Sequence, residues 1–447
     1  MGFGIDNLSH TVYGMRMYGY LRGRHPGRAT MRSEDHFGQV VTAGQPASVD
    51  VWDMSLREIL DFRGEPADRL HELTAIDDAF VMGLVVTTAG SVLGGDDPLA
   101  ESLRTDLAAL GARCGRATER ERDHAGAVAA LADGNFTAAA ARWEAIGARH
   151  PHDVVATKMA HDIYLHVGDD ARRLLASTAV IGRLRAGDPG YGVAAGQHAF
   201  ALEEVGRYEE AELFGRLALE VDAVDIWALH ALAHVYEMQG RHLEAVEHLR
   251  STRADWEERD HLAVHLLWHL SLRLIDAGEF DECLEIFDGQ VDDADRAFGL
   301  TDLTSMLWRL ELAGCDVVDL WSTLAARWRD HDQLHTTAFL DVHAALVFAS
   351  CPDDPGADRY WAGLDACHRA GVSENDETFD LVVRPMAAAI RSYREGRYRD
   401  AADGIDHLSA VAHRLGGSIV QRDVFAITAS EAVLRGGHRR PAEEVGL

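Results

Sequence analysis

An all-α solenoid of stacked helix pairs is the architecture this sequence predicts, and three observations predict it. A turn signature recurs at a fixed interval: Gly206-Arg207-Tyr208-Glu209-Glu210-Ala211 returns 34 residues later as Gly240-Arg241-His242-Leu243-Glu244-Ala245. Turn glycines extend the ladder on both sides, at Gly134, Gly168, Gly278, Gly314, Gly396 and Gly437, with intervals of 34, 38, 34, 38 and 36 residues as far as Gly314. Composition agrees, with only 10 prolines in 447 residues and many Ala, Leu, Glu and Arg, which favour helix over strand.

A 34-residue period whose turn carries Gly, an aromatic or similar residue and a small Ala belongs to the tetratricopeptide repeat, an antiparallel helix pair. Each pair exposes an apolar face that only its neighbour can cover, so the units are expected to stack as a right-handed superhelix. The 82-residue gap from Gly314 to Gly396 leaves room for two units with one turn glycine missing, at the loop Cys351–Gly356; Gly437 follows 41 residues later. The predicted organisation is an N-terminal arm over 1–46, divergent helical pairs over 47–117 and a tetratricopeptide-like array over 118–447.

The elements follow in order. Residues 1–46 hold Arg16, Arg22, Arg24, Arg28 and Arg32 with little helical periodicity, as expected of an arm that either packs back on the acidic body or stays mobile. Ser48 or Asp50 caps a predicted helix through Asp61, with Trp52, Leu56 and Leu60 on one face. Gly64-Glu65-Pro66 breaks it, a second helix starts over 67–72, and Asp77-Asp78 caps a third segment. That segment lies in the uncharged run 79–95, which is too short and glycine-rich for a membrane span. The glycines at 94 and 95, with Asp96, Asp97 and Pro98, end it. The regular array begins near Thr118.

The charge balance excludes some functions. Lys and Arg number 43 against 73 Asp and Glu, a formal net of -30; such a surface repels phosphate backbones and anionic membranes, so neither nucleic acid nor membrane is an expected partner. Cys114, Cys283, Cys315, Cys351 and Cys367 are scattered, with no C-x-x-C, which fits a reducing cytoplasm and no thiolate zinc site. Cys283 stands where other turns carry Ala139, Ala211 and Ala245, a tight packing position. Phosphate-loop, nucleophile-elbow and dinucleotide fingerprints are missing.

The polar content of the groove is the main functional signal. With the turn glycine counted as position 15, positions 2, 5, 9 and 12 of each first helix point to the concave side. His230, His234 and Glu237 take 5, 9 and 12 of the central unit, on one helical face, while Ala233 and Tyr236 fit the small position 8 and the aromatic position 11. Asp162 is at 9 beside His161, Glu203 and Glu311 are at 12, His265 is at 2 and His269 lies near the groove edge. Asp341 and His343 follow in an unsettled register. Trp227 and Trp268 either stack on a ligand or pack between repeats, as tryptophan here commonly does.

The groove set is thus Asp162, Glu203, Trp227, His230, His234, Glu237, His265, Trp268, His269, Asp341 and His343. Its metal-ligand candidates are His230, His234, Glu237, His265 and His269; its acid/base candidates are His234, Glu237, His161 and Asp162. Zinc or iron is the metal such a set would hold. His230 and Glu237, about 10 Å apart along the axis, are too distant to share one ion. With Lys158 the only evident groove cation, an acidic peptide tail is a poor ligand.

At His161-Asp162, at Trp227-Ala-Leu-His230-Ala-Leu-Ala-His234-Val-Tyr-Glu237-Met-Gln-Gly240-Arg241, at His265-Leu-Leu-Trp268-His269 and at Asp341-Val-His343, the chain resembles the tetratricopeptide repeat protein 38 family, over about residues 48–440. That resemblance implies the helical-repeat fold and a shared polar groove, and no particular reaction. Two functions stand open: a cytoplasmic scaffold whose groove receives a peptide, protein segment or small ligand, and a metal-dependent or acid/base enzyme with its site in that groove.

Overall fold

A computed structural model describes residues 30–94, 101–257, 262–291, 297–329, 335, 337–366 and 373–437. Several sequence features therefore lie outside the described residues. They are Arg16, Arg22, Arg24 and Arg28 of the arm, the turn residues 95–98, Cys367 and the residues after Gly437.

From Met31 the expected arm is a β-hairpin, β1 (Met31–Glu34) and β2 (Val40–Ala43), paired antiparallel with Met31 opposite Ala43. Asp35 shapes its turn, accepting from the backbone N–H of Phe37 (3.0 Å) and Gln39 (2.8 Å). This is the Asx chemistry that favours a turn. The hairpin is docked: Thr42 gives its N–H and hydroxyl to the two carboxylate oxygens of Glu121, at 2.7 and 2.6 Å.

Helices follow as α1 (Pro46–Asp61), α2 (Pro66–Ile76), α3 (Met82–Leu93) and α4 (Glu101–Arg113). Two caps differ from expectation. Helix α1 starts at Pro46 after Gln45, because proline suits the first turn, where its missing N–H costs nothing. Ser48 instead donates its hydroxyl to Asp77 (2.5 Å), and Asp77 also accepts from the N–H of Gly44 and Ala79. Asp77 thus ties the hairpin exit to the approach of α3, whose N-cap is Val81.

The array comprises α5 (Glu119–Ala132) and α6 (Phe136–Arg149), α7 (Val154–Val167) and α8 (Asp170–Ile181), α9 (Tyr191–Glu203) and α10 (Tyr208–Val221), α11 (Ile226–Met238) and α12 (His242–Ser251), α13 (Ala263–Ala277) and α14 (Phe280–Val291), α15 (Ala297–Leu312) and α16 (Leu320–Trp328), α17 (Ala338–Ser350) and α18 (Pro355–Ala366). Short α19 (Glu374–Thr378) runs through a π-helical turn into α20 (Arg384–Arg394), followed by α21 (Tyr398–Leu408) and α22 (Ile419–Arg435). Every ladder glycine has positive φ, from 68° at Gly240 to 92° at Gly314, a conformation that only glycine adopts freely. The turn without glycine is at Cys351–Asp354, inside the expected loop. Ala139, Ala211, Ala245 and Cys283 are all buried where the helices of a pair touch. The fold is an all-α solenoid of helix pairs.

Tertiary packing departs from an open groove. Helix α22 lies across the concave side: Trp308 of α15 donates to Thr428 Oγ1 (2.8 Å) and Arg309 to the carbonyl of Val420 (3.0 Å). The N–H of Ile419, in the first turn of α22, points at the Glu204 carboxylate (3.1 Å) beyond α9. Positive helix ends attract such a carboxylate. Beside it, the turn at 412–416 presses on the end of α7, where a Cβ on Gly168 would sit 2.0 Å from the His413 carbonyl oxygen. Among the described residues, no helix is long and apolar enough to cross a membrane.

Candidate functional site

Helix α11 owes its position to Asp225, whose side chain accepts from the N–H of Ala228 (3.0 Å) and caps it, and to Ala233, buried against its neighbours. That phase turns His230 and His234 toward the adjacent first helix α13, which supplies His265 and His269. One ring nitrogen from each of the four histidines can be chosen so that all lie within 4.8 Å of one another, and all four side chains are buried. Centroid separations among the neighbouring rings run from 4.5 Å (His230 to His234) to 5.2 Å (His230 to His269).

Carboxylates surround the cluster. Nδ1 of His265 meets Asp302 Oδ2 at 2.9 Å, and Nδ1 of His269 meets Glu237 Oε2 at 3.1 Å. Nδ1 of His234 lies 3.4 Å from Glu203 Oε2, outside hydrogen-bond geometry. Inside the ring, Nε2 of His265 and Nε2 of His230 are 3.0 Å apart. Nε2 of His234, Nε2 of His269 and Nδ1 of His230 have no hydrogen-bond partner among the described residues. Burial first, then the neighbouring imidazoles, holds His230 and His269 well below the usual histidine range. Burial takes His234 down to about 3 despite the opposing Glu204. These three rings can therefore be neutral ligands at pH 7.

The acids take different roles from those expected. Glu237 is not drawn into the four-nitrogen cluster; it orients His269 and accepts from Arg273 (2.7 Å), as two turns of helix separate it from His230. Burial pushes its carboxyl up to about 7 against the pull of Arg273. Glu203 is sealed behind His234, where burial raises it to about 8, and burial with the neighbouring Glu203 charge lifts Glu204 to about 7. Two adjacent carboxyls in one dry place share a proton near neutrality. Glu311 is held by Arg394 (2.8 Å) and Trp321 (2.7 Å), well away from the histidines. Asp341 binds the backbone N–H (2.8 Å) and Nδ1 (2.6 Å) of His335, and His343 binds the carbonyl of Phe339 (2.8 Å). Neither joins the cluster. Lys158 is not the only cation: buried Arg173 lies beside Glu204, half-buried Arg273 pairs with Glu237, and buried Arg309 pairs with Asp423.

On the concave side there is a chamber of about 330 Å³. Phe62, Phe200, Trp227, Phe298 and Phe339 wall it, and His230, His265 and Asp302 form a polar floor with Thr301 nearby. The start of α22 contributes Gly417, Ser418 and Gln421 to its lining. Trp227 stacks on Phe62 at 5.8 Å, and Lys158 pairs with Asp162 (2.9 Å) over the Phe62 ring. These four residues also line an adjoining cavity of about 370 Å³. His161 sits edge-on to Trp227, apart from the four-histidine cluster. Trp268 is packed flat on His265 at 5.2 Å.

Residues outside the groove positions also matter. Asp302 is at position 3 of its repeat, one step off the groove series, and Phe62 caps the C-terminus of α1. Only the left-handed backbone at Phe62 (φ 55°) marks it as unusual, and no sequence signal shows that.

No family model matches the chain. Among solved structures, it is similar to a Rap protein complexed with competence and sporulation factor, at 14% identity and a TM-score of 0.42, covering 72% of this chain and 98% of the Rap chain. A likeness of that size assigns no activity.

Proposed function

We propose that this helical-repeat protein binds a small, largely apolar ligand with one polar end in the chamber on its concave side. The observation that carries the reading is the chamber itself. Its volume and aromatic walls, with a few convergent polar groups at one end, are those of small-molecule sites. The scaffold reading, in which a peptide or protein segment lies along an open groove, draws on the repeat fold. It is the weaker of the two because α22 packs onto α15 on that surface. The enzyme reading draws on a specific observation, the buried imidazoles whose nitrogens lack partners, with His234 as acid/base candidate. Kinship with the tetratricopeptide repeat protein 38 family rests on the histidine motif of α11 and α13 and is part of the same proposal.

The test is a thermal-shift and native-mass screen of small apolar molecules against the purified full chain. Leu165 of α7 lines the chamber; a ligand binding one to one, and lost when Leu165→Trp fills that space without changing helical content, supports the reading. Binding of peptides alone, unaffected by Leu165→Trp, would replace it with the scaffold.

A further inference from the structure

We infer that His230, His234, His265 and His269 form a site for one divalent first-row transition-metal ion at the chamber floor. Convergence is the first support: four imidazoles from two adjacent helices bring ring nitrogens within 4.8 Å of one another. Tetrahedral ligation at about 2.0–2.1 Å would draw them to roughly 3.3 Å apart, a change that rotation of the rings about their side-chain bonds can supply.

The tautomers are the second. A proton on Nδ1 of His265 and His269 satisfies Asp302 and Glu237, leaving both Nε2 lone pairs inward; without an ion that of His265 accepts from Nε2 of His230 (3.0 Å), whose proton would sit on Nδ1 when an ion binds. His234 has Glu203 beside its Nδ1 at 3.4 Å in the same sense. Carboxylates on the outer nitrogen are how metal-binding histidines are oriented and made more basic. The third support is the unmet bonding capacity of Nε2 in His234 and His269. Buried polar atoms almost always find partners, and several orphans in one place point to a missing one.

Charge and ligand type narrow the identity. Asp302 stands just outside the four rings, with Glu237 shared with Arg273, so a dication would have a carboxylate beside it. Four nitrogens without a thiolate suit zinc, iron, copper or nickel and not magnesium or calcium, which take oxygen. His230 and His265 line the chamber while His234 and His269 lie behind them. Four imidazoles fill a tetrahedral ion, so a group in the chamber joins it as a fifth ligand, on the side of His230 and His265. This extends the chamber reading in one respect, which rests on that reading: the polar end of the ligand would be a metal-coordinating group. The ion site itself does not rest on it.

The test uses untagged full chain, stripped with chelator and titrated with Co²⁺ alone. One equivalent should bind, give the visible bands of a four-nitrogen site, raise the melting temperature and be displaced by Zn²⁺. Glu237→Gln and Asp302→Asn should each weaken affinity about 10- to 100-fold, and the His234→Leu, His269→Leu double variant should lose the bands at unchanged helical content. The inference is overturned if the wild-type chain takes up no Co²⁺, or if the double variant binds it equally well. Should the double variant fail to fold, unchanged affinity in both carboxylate variants overturns it. Leu165→Trp should retain Co²⁺, so a failed chamber and a failed metal site give different results.

Discussion

Among the described residues, two buried histidine sites invite comparison: His124 between α5 and α7, and the four rings between α11 and α13. In the first, Trp143 donates to His124 Nδ1 (3.0 Å), His124 Nε2 meets Asp153 (2.9 Å) and Arg120 reaches the same carboxylate (2.5 Å). The other oxygen of Asp153 caps α7 through the N–H of Ala156 (2.9 Å), and Arg120 also holds the carbonyl of Val40 in β2 (3.0 Å). Both ring nitrogens of His124 have a partner, and the group fastens hairpin to array. In the second, ring nitrogens of His230, His234 and His269 are left open. Partnered on both sides, His124 fastens the fold, whereas the open nitrogens of the second site leave room for a further partner.

The largest effect should separate these groups by stability. In metal-free protein, His124→Leu strands the Trp143 N–H and one side of Asp153, and should cost about 3 kcal/mol or more. His234→Leu removes an imidazole with no hydrogen bond and should change stability by less than about 1 kcal/mol. Urea unfolding of both variants checks this, and equal losses would erase the contrast.

A second effect is acid sensitivity. Burial opposes ionisation of Asp153, yet His124, Arg120 and the Ala156 N–H outweigh it and hold the carboxyl well below its usual value of 3.8. A lowered folded pKa stabilises fully above the unfolded value and is lost as pH falls through the folded one. Unfolding free energy should therefore drop steeply below about pH 4 in the wild type and less steeply in Asp153→Asn. Parallel acid curves would show that the network does not carry this linkage.

The smallest effect concerns the closure over the second group. Glu204→Ala removes the carboxylate facing the N-terminus of α22 and should cost about 1 kcal/mol. Amide exchange should quicken in the first turn of α22 while α5 and α7 keep their protection. Uniform acceleration would mean that α22 opens only with the whole molecule.

The turn ladder, the helix pairs and the shared face of His230 and His234 could all be read from spacing. They depend on local rules: glycine tolerates the left-handed turn, and 3.6 residues per turn fixes which side chains align. Nothing local states how tightly the solenoid curls. Whether α22 lies over α15, and how far its first turn approaches Glu204, depends on packing between segments more than 100 residues apart. That packing made the groove a chamber, drew His269 inward from an edge position and brought in Asp302 from outside the groove series. It also left Glu237 to orient a ring. Residue order along each helix determined which imidazoles could meet. The curvature of the whole stack decided which of them did, because helix-to-helix contact is settled by the sum of many side-chain fits and no single spacing encodes it.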